Sequence, residues 1–455
     1  MKWESKMRIK RIAIEKYKNL VDFKCEFSDS NISAFIGNNG SGKSNLLEVI
    51  TEVFSYAKKK CEDKLYSIIV PPEIYGCEIE YEKDGILYTL KYSHPEVSLH
   101  CAGKSLSKRE TNAALPDNIL IYYAGETMRQ ARIVAETFDE KYNYRLKNSD
   151  NNSFPGYKYI DYYSVEDLGL LLLTAAVYKG DYYERLLKLL RCTAILPEIN
   201  IMLQNPKGKE QENADTYWGA KGFVQSFLDT LRKSVSSTQN LLAYYSMYFQ
   251  EIEPFRSSAK NENEFLAKLK ALKNAKYLHW IKLELCRDTG EKFTFDMLSE
   301  GEKQLALLFL LTTFTAKDNC LYIFDEFDAY LHLNWQRLFF QMINQTQVNG
   351  HIIFTTHSPA SISKIQKEDV YKMHNGIVSK PLSDTFNRSL DEVMEEQLGV
   401  SLRPQEYTDI VDEFRKAVIS NKKGMALAKL EQLEEIVGEN DPFFITARIA
   451  LERMD

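Results

Sequence analysis

The stretch Gly37-Asn38-Asn39-Gly40-Ser41-Gly42-Lys43-Ser44 constrains this chain more than any other. It has the spacing GxxxxGK[ST], follows the apolar run Ile32–Ile36 and opens a helical pattern over 45–54. Glycines so spaced let successive backbone N–H groups curl round a phosphate, and a helix starting near Gly42 turns its positive end toward that anion. The Lys43 ammonium is placed to neutralise terminal phosphates, and the Ser44 hydroxyl to ligate Mg²⁺. Asn38, Asn39, Gly40, Ser41, Gly42 and Asn45 complete the expected cradle for ATP. The local order strand, loop, helix points to an α/β fold.

A second apolar strand, Tyr322-Ile323-Phe324, ends in Asp325 and Glu326. Asp325 is expected to hold the Mg²⁺ and Glu326 to polarise an attacking water. Such an acidic pair also occurs on surface turns, so its meaning comes from its neighbours. Leu298-Ser299-Glu300-Gly301-Glu302-Lys303-Gln304 precedes it and opens a helix, with Ser299 at the N-cap and Glu302 at the capping-box position. His357, in Phe354-Thr355-Thr356-His357-Ser358-Pro359, ends the strand that follows the acids.

In this order the motifs resemble those of ABC-type ATPases of the RecF- and SMC-like branch. Leu298 to Gln304 is similar to their signature LSGGQ in the form LSxGEKQ, His357 to their switch histidine, and Asp328-Ala329-Tyr330-Leu331-His332 to their D-loop. The resemblance covers 7–50, 119–126 and 283–379. It implies an ABC-type P-loop NTPase head in which the signature of one protomer caps the γ-phosphate held by the other. Ser299, Gly301 and Glu302 would then act in trans within a head-to-tail homodimer or higher homo-oligomer. Glu326, His357 and Lys43 would be the catalytic set. The chain departs from the family in three places. No clean Q-loop glutamine follows the strand near 119–123, where only Glu126 and Gln130 stand nearby. Phe327 takes a place often held by proline or an aliphatic residue, and Glu302 replaces the second signature glycine.

The overall plan also resembles the ATPase subunits of antiphage systems of the Septu and retron-linked type. Ile121-Tyr122-Tyr123-Ala124-Gly125-Glu126, Trp218-Gly219-Ala220-Lys221-Gly222, Phe386-Asn387-Arg388-Ser389 and Gly438-Glu439-Asn440-Asp441-Pro442 carry that resemblance. It implies a separate partner nuclease of the HNH type, with this chain as sensor and regulator. PARIS-type ATPases, which work with a Toprim effector, look similar through the same motifs. The tail beyond Lys380 has no DxD for a Toprim domain of its own. His94, His100, His279 and His374 stand alone and form no nuclease constellation. A DNA-repair or SMC-like clamp is the rival reading. It would place DNA on Lys58, Lys59 and Lys60 or on Lys268, Lys270, Lys273 and Lys276, although charge runs of this kind are more often a solvated helix face.

Around these motifs the pattern is discontinuous. Residues 7–27 read as two strands and 73–99 as a hairpin turning at Lys83-Asp84-Gly85. The middle reads as helices over 165–190, 221–242 and 264–272, with polar loops at 147–154 and 205–215. Strand and helix alternate again from 283, and the tail is helical. The expected division is 1–135 and 281–385 for the two lobes of one head, 136–280 for a mainly helical insertion, and 386–455 for a helical C-terminal interaction region. The charge balance of 58 basic and 64 acidic side chains argues against a surface that coats nucleic acid indiscriminately. Seven scattered cysteines without a CxxC suggest neither a zinc knuckle nor a redox pair. With no apolar run long enough to span a bilayer, the expectation is a cytoplasmic protein with reduced thiols and no membrane partner.

Overall fold

A computed structural model describes residues 7–62, 69–124, 138, 140–148, 153–207, 214–241, 244–316, 318–346, 348–398, 404–438 and 441–452. The chain divides into two compact units, Met1–Phe386 and Asn387–Asp455. Strands are numbered here in chain order.

The centre of the first unit is a seven-stranded sheet. Its middle is built from β3 (Ile32–Ile36), β8 (Asn118–Tyr123), β15 (Cys320–Asp325) and β16 (His351–Thr355). Its flanks are β9 (Ile160–Tyr163), β17 (Val370–His374) and β18 (Ile377–Ser379), and the order is β18-β17-β3-β16-β15-β8-β9. All neighbours run parallel except β17 and β18. The parallel strands read as unbroken apolar runs because both faces are covered: every residue of β15 and of β16 is buried.

A second sheet is antiparallel, in the order β2-β1-β4-β5-β6-β7, with β1 at Met7–Tyr17, β2 at Leu20–Glu26, β4 at Gly76–Lys83, β5 at Ile86–Ser93, β6 at Glu96–Cys101 and β7 at Lys104–Ser105. Its first strands alternate buried and open positions, as expected for a sheet covered on one face only. The helix Lys43–Cys61 lies in the core between the two sheets. Leu46, Leu47, Ile50, Val53 and Phe54 share one buried cluster with Ile12, Ile79 and Tyr81 of the antiparallel sheet and Phe35, Ile121 and Ile323 of the parallel one. Each such side chain, fully buried, contributes roughly 1.5–3 kcal/mol.

The insertion is rich in helices, as the sequence suggested, and it also carries most of an antiparallel sheet that the sequence reading missed. That sheet has the order β11-β12-β10-β13-β14, with β10 at Ala194–Gln204, β11 at Ser237–Leu241, β12 at Tyr244–Phe249, β13 at Leu278–Cys286 and β14 at Lys292–Thr294. The helix expected over 221–242 stops at Arg232, and β11 follows it. Strand β11 is a polar edge strand whose side chains contact no core, so it has no apolar alternation to read. In β10 the alternation is broken at Pro197-Glu198, where the register with β13 shifts between Ile195 and Ile199. The second unit contains the helices Gln405–Ile419, Lys423–Val437 and Phe443–Glu452, packed through Tyr407, Ile410, Phe414, Leu433 and Phe444. Among the described residues no helix is long and apolar enough to cross a membrane.

One fully buried side chain ties the two sheets of the head together. His351 Nδ1 accepts the amide of Ile9 on β1 at 3.2 Å, and its Nε2 meets Ser33 Oγ on β3 at 3.0 Å. Burial, helped by the charges of Arg8 and Lys10, pushes its pKa down to about 3. The unfolded chain takes up a proton near pH ~6.5 that the folded chain refuses. The stabilisation is therefore complete above about pH 6.5 and is lost as pH falls from there toward about 3, by up to ~1.4 kcal/mol per pH unit. Urea titrations at pH 7 and pH 5 should show a larger loss for wild type than for His351→Asn; equal losses would remove His351 as the cause.

Candidate nucleotide site

The phosphate loop leaves the carboxyl end of β3, and three of its residues are fixed by backbone. Gly37 has φ 145°, and a Cβ there would lie 2.1 Å from the carbonyl oxygen of Met373. Gly42 has φ 108°, and a Cβ would press within 2.9 Å of Leu20. Ser41 is held from β17–β18, where the Gly376 amide donates to its carbonyl. On the other side Asn19 Nδ2 donates to the Gly40 carbonyl at 2.9 Å, and Asn45 Nδ2 donates to Asn19 Oδ1 at 2.7 Å. Two turns far apart in sequence thus grip the loop. Lys43 Nζ donates to the carbonyls of Gly37 at 2.8 Å and Asn38 at 3.2 Å. Burial holds its pKa below the ordinary lysine range, with Asp325 and Glu326 acting against that shift.

The acids stand at the carboxyl end of β15, separated from β3 by β16 alone. Asp325 is 3% exposed. Its carboxylate accepts the hydroxyls of Thr355 and Ser44, which oppose the upward push that burial gives its pKa. The structure therefore brings Ser44 and Asp325, assigned to one metal from sequence, into direct contact. Both offer hard oxygen donors, the set that suits Mg²⁺. Glu326 takes a left-handed backbone, φ 51°, which is costly for a residue with a Cβ and ends the strand between the two acids. Its amide donates to Thr355 Oγ1 at 2.9 Å. One hydroxyl at the end of β16 thus positions both acids. His357, two residues on, is exposed, and burial of its ring with the nearby Lys43 charge pushes its pKa down. It is accordingly neutral at pH 7.

Beyond the acids the chain is tied back on itself by buried hydrogen bonds. Asp328 accepts the hydroxyls of Thr356 and Ser361. Burial pushes its pKa up to about 6. Gln336, 4% exposed, donates to the carbonyl of Leu331 at 2.9 Å and accepts from Ser358 and Ser361. The expected D-loop and the segment carrying His357 are therefore one bonded body. The signature helix, Glu300–Phe314, joins the same body. Gln304 donates to the Phe327 carbonyl, and a Cβ on Gly301 would sit 2.8 Å from Trp335 and 3.1 Å from the Tyr330 carbonyl. Ser299 caps the helix in a complete capping box with Glu302, its hydroxyl donating to Glu302 Oε2 at 2.8 Å. Among the described residues no hydrogen bond joins Ser299, Gly301 or Glu302 to the phosphate loop of the same chain.

Sequence reasoning missed Thr355, Gln304 and Gln336. The available signals were a hydroxyl at a strand end opposite two acids, and a glutamine inside the buried stripe of each helix. Glu126 and Gln130, weighed for the Q-loop, lie outside the described residues. Of the lysines weighed as a DNA patch, Lys276 is exposed, while Lys59, Lys268, Lys270 and Lys273 are buried or used within the chain. Lys270 and Lys273 bind the buried Asp167 at 2.7 and 2.8 Å, and together they hold its pKa low although burial alone would raise it. Lys268 pairs with Glu264, and Lys59 is 7% exposed. The four isolated histidines have ordinary neighbours, such as Tyr92 for His94 and Ser98 for His100. No disulfide joins the described cysteines, and among the described residues no group of three or more His, Cys, Asp or Glu could hold a metal ion.

The family described as RecF/RecN/SMC N terminal domain matches residues 8–379. The "Retron Vc95 probable ATPase" of Vibrio cholerae serotype O1 biovar El Tor is 23% identical over 91% of this chain and 84% of its own length. The "Retron Ec83 probable ATPase" of Escherichia coli is 25% identical over 36% of this chain and 31% of its own. Among solved structures, the SMC head bound to the C-winged helix domain of ScpA aligns with a TM-score of 0.37 and 14% identity, over 82% of this chain and 97% of that one.

The Thr355 bridge gives a direct test. Thr355→Val keeps the shape and removes the hydroxyl, so a buried carboxylate loses a donor at a cost of ~1–3 kcal/mol. ATP turnover should fall roughly ten- to hundredfold through loss of positioning, with KM for ATP little changed. Steady-state phosphate release checks this, and a wild-type kcat would show that Thr355 positions nothing.

Proposed function

The chain belongs to the RecF/RecN/SMC N-terminal domain family, and from that premise we propose that it is an ATP-hydrolysing subunit that works as a head-to-tail homo-oligomer. The observation that carries this reading is the placement of Ser44 against Asp325, beside Lys43 and Glu326, at the carboxyl ends of the parallel strands β3 and β15, with β16 between them. A parallel sheet offers its ligand crevice at that end. In this reading Lys43 and the loop amides hold the terminal phosphates, and Asn38, Asn39, Gly40, Ser41, Gly42 and Asn45 shape the cradle. Ser44 and Asp325 hold Mg²⁺, which supplies charge neutralisation at the phosphates when bound. Glu326 orients and polarises the attacking water. Neutral His357 has one ring nitrogen to donate toward the γ-phosphate and one to accept.

The signature is assigned to the neighbouring protomer's nucleotide. Ser299 is exposed, it stands at a helix N-terminus, its hydrogen bonds stay within its own helix, and Gly301 and Gln304 of that helix meet the D-loop side. The head is assigned to 1–135 and 281–385, the insertion to 136–280 and an interaction region to 386–455. The retron-associated names of the relatives support a place in antiphage defence, with a separate nuclease, HNH in type, as the regulated partner. The rival DNA-clamp reading is weakened because Lys268, Lys270 and Lys273 already bind acids within the chain.

Three measurements test the proposal. Glu326→Gln should bind ATP normally, accumulate as an ATP-dependent dimer on size exclusion and hydrolyse at least about a hundredfold more slowly. A rate equal to wild type would end the catalytic assignment. Ser299→Arg should leave the monomer's ATP binding intact and abolish the ATP-dependent dimer. Purification from the native operon should bring a nuclease with it; a chain that emerges alone refutes the regulatory role.

A further inference from the structure

A second site lies at the opposite end of the same sheet. A cavity of about 530 Å³ opens where β8, β9 and β15 begin, lined by Asn118, Tyr159 and Asp318 beside those strand starts. The last turn of the helix Lys43–Cys61 forms another wall through Lys58 and Glu62. One helix and one strand therefore each run from the phosphate site to this cavity.

The chemistry of the lining is selective. Five cationic side chains, Lys58, Lys83, Lys141, Arg145 and Lys158, face three acids, Glu62, Asp117 and Asp318, and Lys158 pairs with Asp161 beside the cavity at 3.6 Å, so the balance favours an anion by a single charge. Lys83 is consumed by Asp117 and two carbonyls, which neutralises one of each. Burial and the neighbouring Asp117 push the Asp318 pKa up, against the hydrogen bond from Asn263. Arg145 is exposed at the rim, where its planar fork suits a phosphate. Tyr157 is 44% exposed and offers an aromatic face. Tyr159 is only 6% exposed, yet its buried hydroxyl has no hydrogen-bond partner among the described residues. A buried hydroxyl left unpaired costs ~1–3 kcal/mol, so one on a residue in the wall of a polar cavity marks where a ligand donor or acceptor belongs. The volume falls in the range of small-ligand sites, about 300–1,000 Å³.

We propose that this cavity binds a phosphorylated nucleoside, free or at the end of a strand, with its phosphate on Arg145, Lys141 and Lys58, its base against Tyr157 and a polar group on the Tyr159 hydroxyl. An anion that recruits Lys58 from Glu62 and Asn112 acts on the last turn of the helix whose first turn holds the ATP phosphates. The site is thus placed to report a second nucleotide signal to the phosphate loop.

The test uses the full chain carrying Lys43→Ala, which disables the phosphate loop, in equilibrium dialysis against AMP, inorganic phosphate and a 5′-phosphorylated DNA tetranucleotide. AMP or the tetranucleotide should bind once per chain with a Kd below about 1 mM, and inorganic phosphate at least tenfold more weakly. Tighter AMP identifies a free nucleotide as the source, and a tighter tetranucleotide identifies a strand end. Lys141→Ala with Arg145→Ala should raise Kd at least tenfold without changing Tm, and Tyr157→Ala should raise it severalfold. The proposal is overturned by absence of saturable binding for all three probes, by phosphate binding as tightly as AMP, or by unchanged affinity in both variants. None of these readouts involves hydrolysis, so failure here and failure of the ATPase reading are separate results.

Discussion

The helix Lys43–Cys61 is held between two sheets of different kinds, and the nucleotide site depends on that confinement. Its inward faces meet the parallel sheet through residues such as Leu47 and Ile50 and the antiparallel sheet through Phe54 against Tyr81. A helix so packed cannot rotate or slide by a fraction of a turn without opening voids in both cores, which close-packed interiors resist. The loop before it is therefore pinned at one end by the helix and at the other by β3. Only glycine satisfies the remaining geometry at position 37, where the Met373 carbonyl occupies the space of a side chain.

What surrounds the acids follows from the same economy of space. The site has few surface charges to spare, and its order comes from buried hydroxyls and amides that each serve two segments. Thr355 joins β16 to both acids, and Gln336 joins the D-loop to the segment after His357. Gln304 extends that body to the signature helix. A body bonded in this way moves as a unit or not at all. In the proposed head-to-tail arrangement, a nucleotide that engaged the signature would act on Asp325 and Glu326 of the same chain through this unit, in proportion to the difference in binding between its two arrangements.

The parts of the chain that were legible in sequence are those where one local rule governs. The strand at Ile32–Ile36 is legible with its boundaries and the helix after Ser299 with its start, because an uninterrupted apolar run and a capping box announce them. The phosphate loop and the acidic pair were legible as motifs, and the structure adds their mutual contact. The sheet of the insertion was not legible. Strand β11 is polar over 237–240, and β10 is broken by a bulge at Pro197, so their pairing is decided by long-range partners that no short window contains. The same holds for His351, which reads as an ordinary strand residue. Its role exists only because β1 and β3 both reach it.

The strand order has a consequence for how the molecule comes into being. β3 leads directly into the phosphate loop, and its only partners in the sheet are β16 and β17, so Ile32 pairs with Ile352 and Ala34 with Val370. A chain emerging from the ribosome carries its phosphate-binding sequence from the start but has nothing to seat it on until those last strands arrive. Domains generally assemble once their contacts are complete, and long-range parallel pairing is slow. A chain cut before β17 therefore keeps the phosphate-binding motif without the strands that seat it.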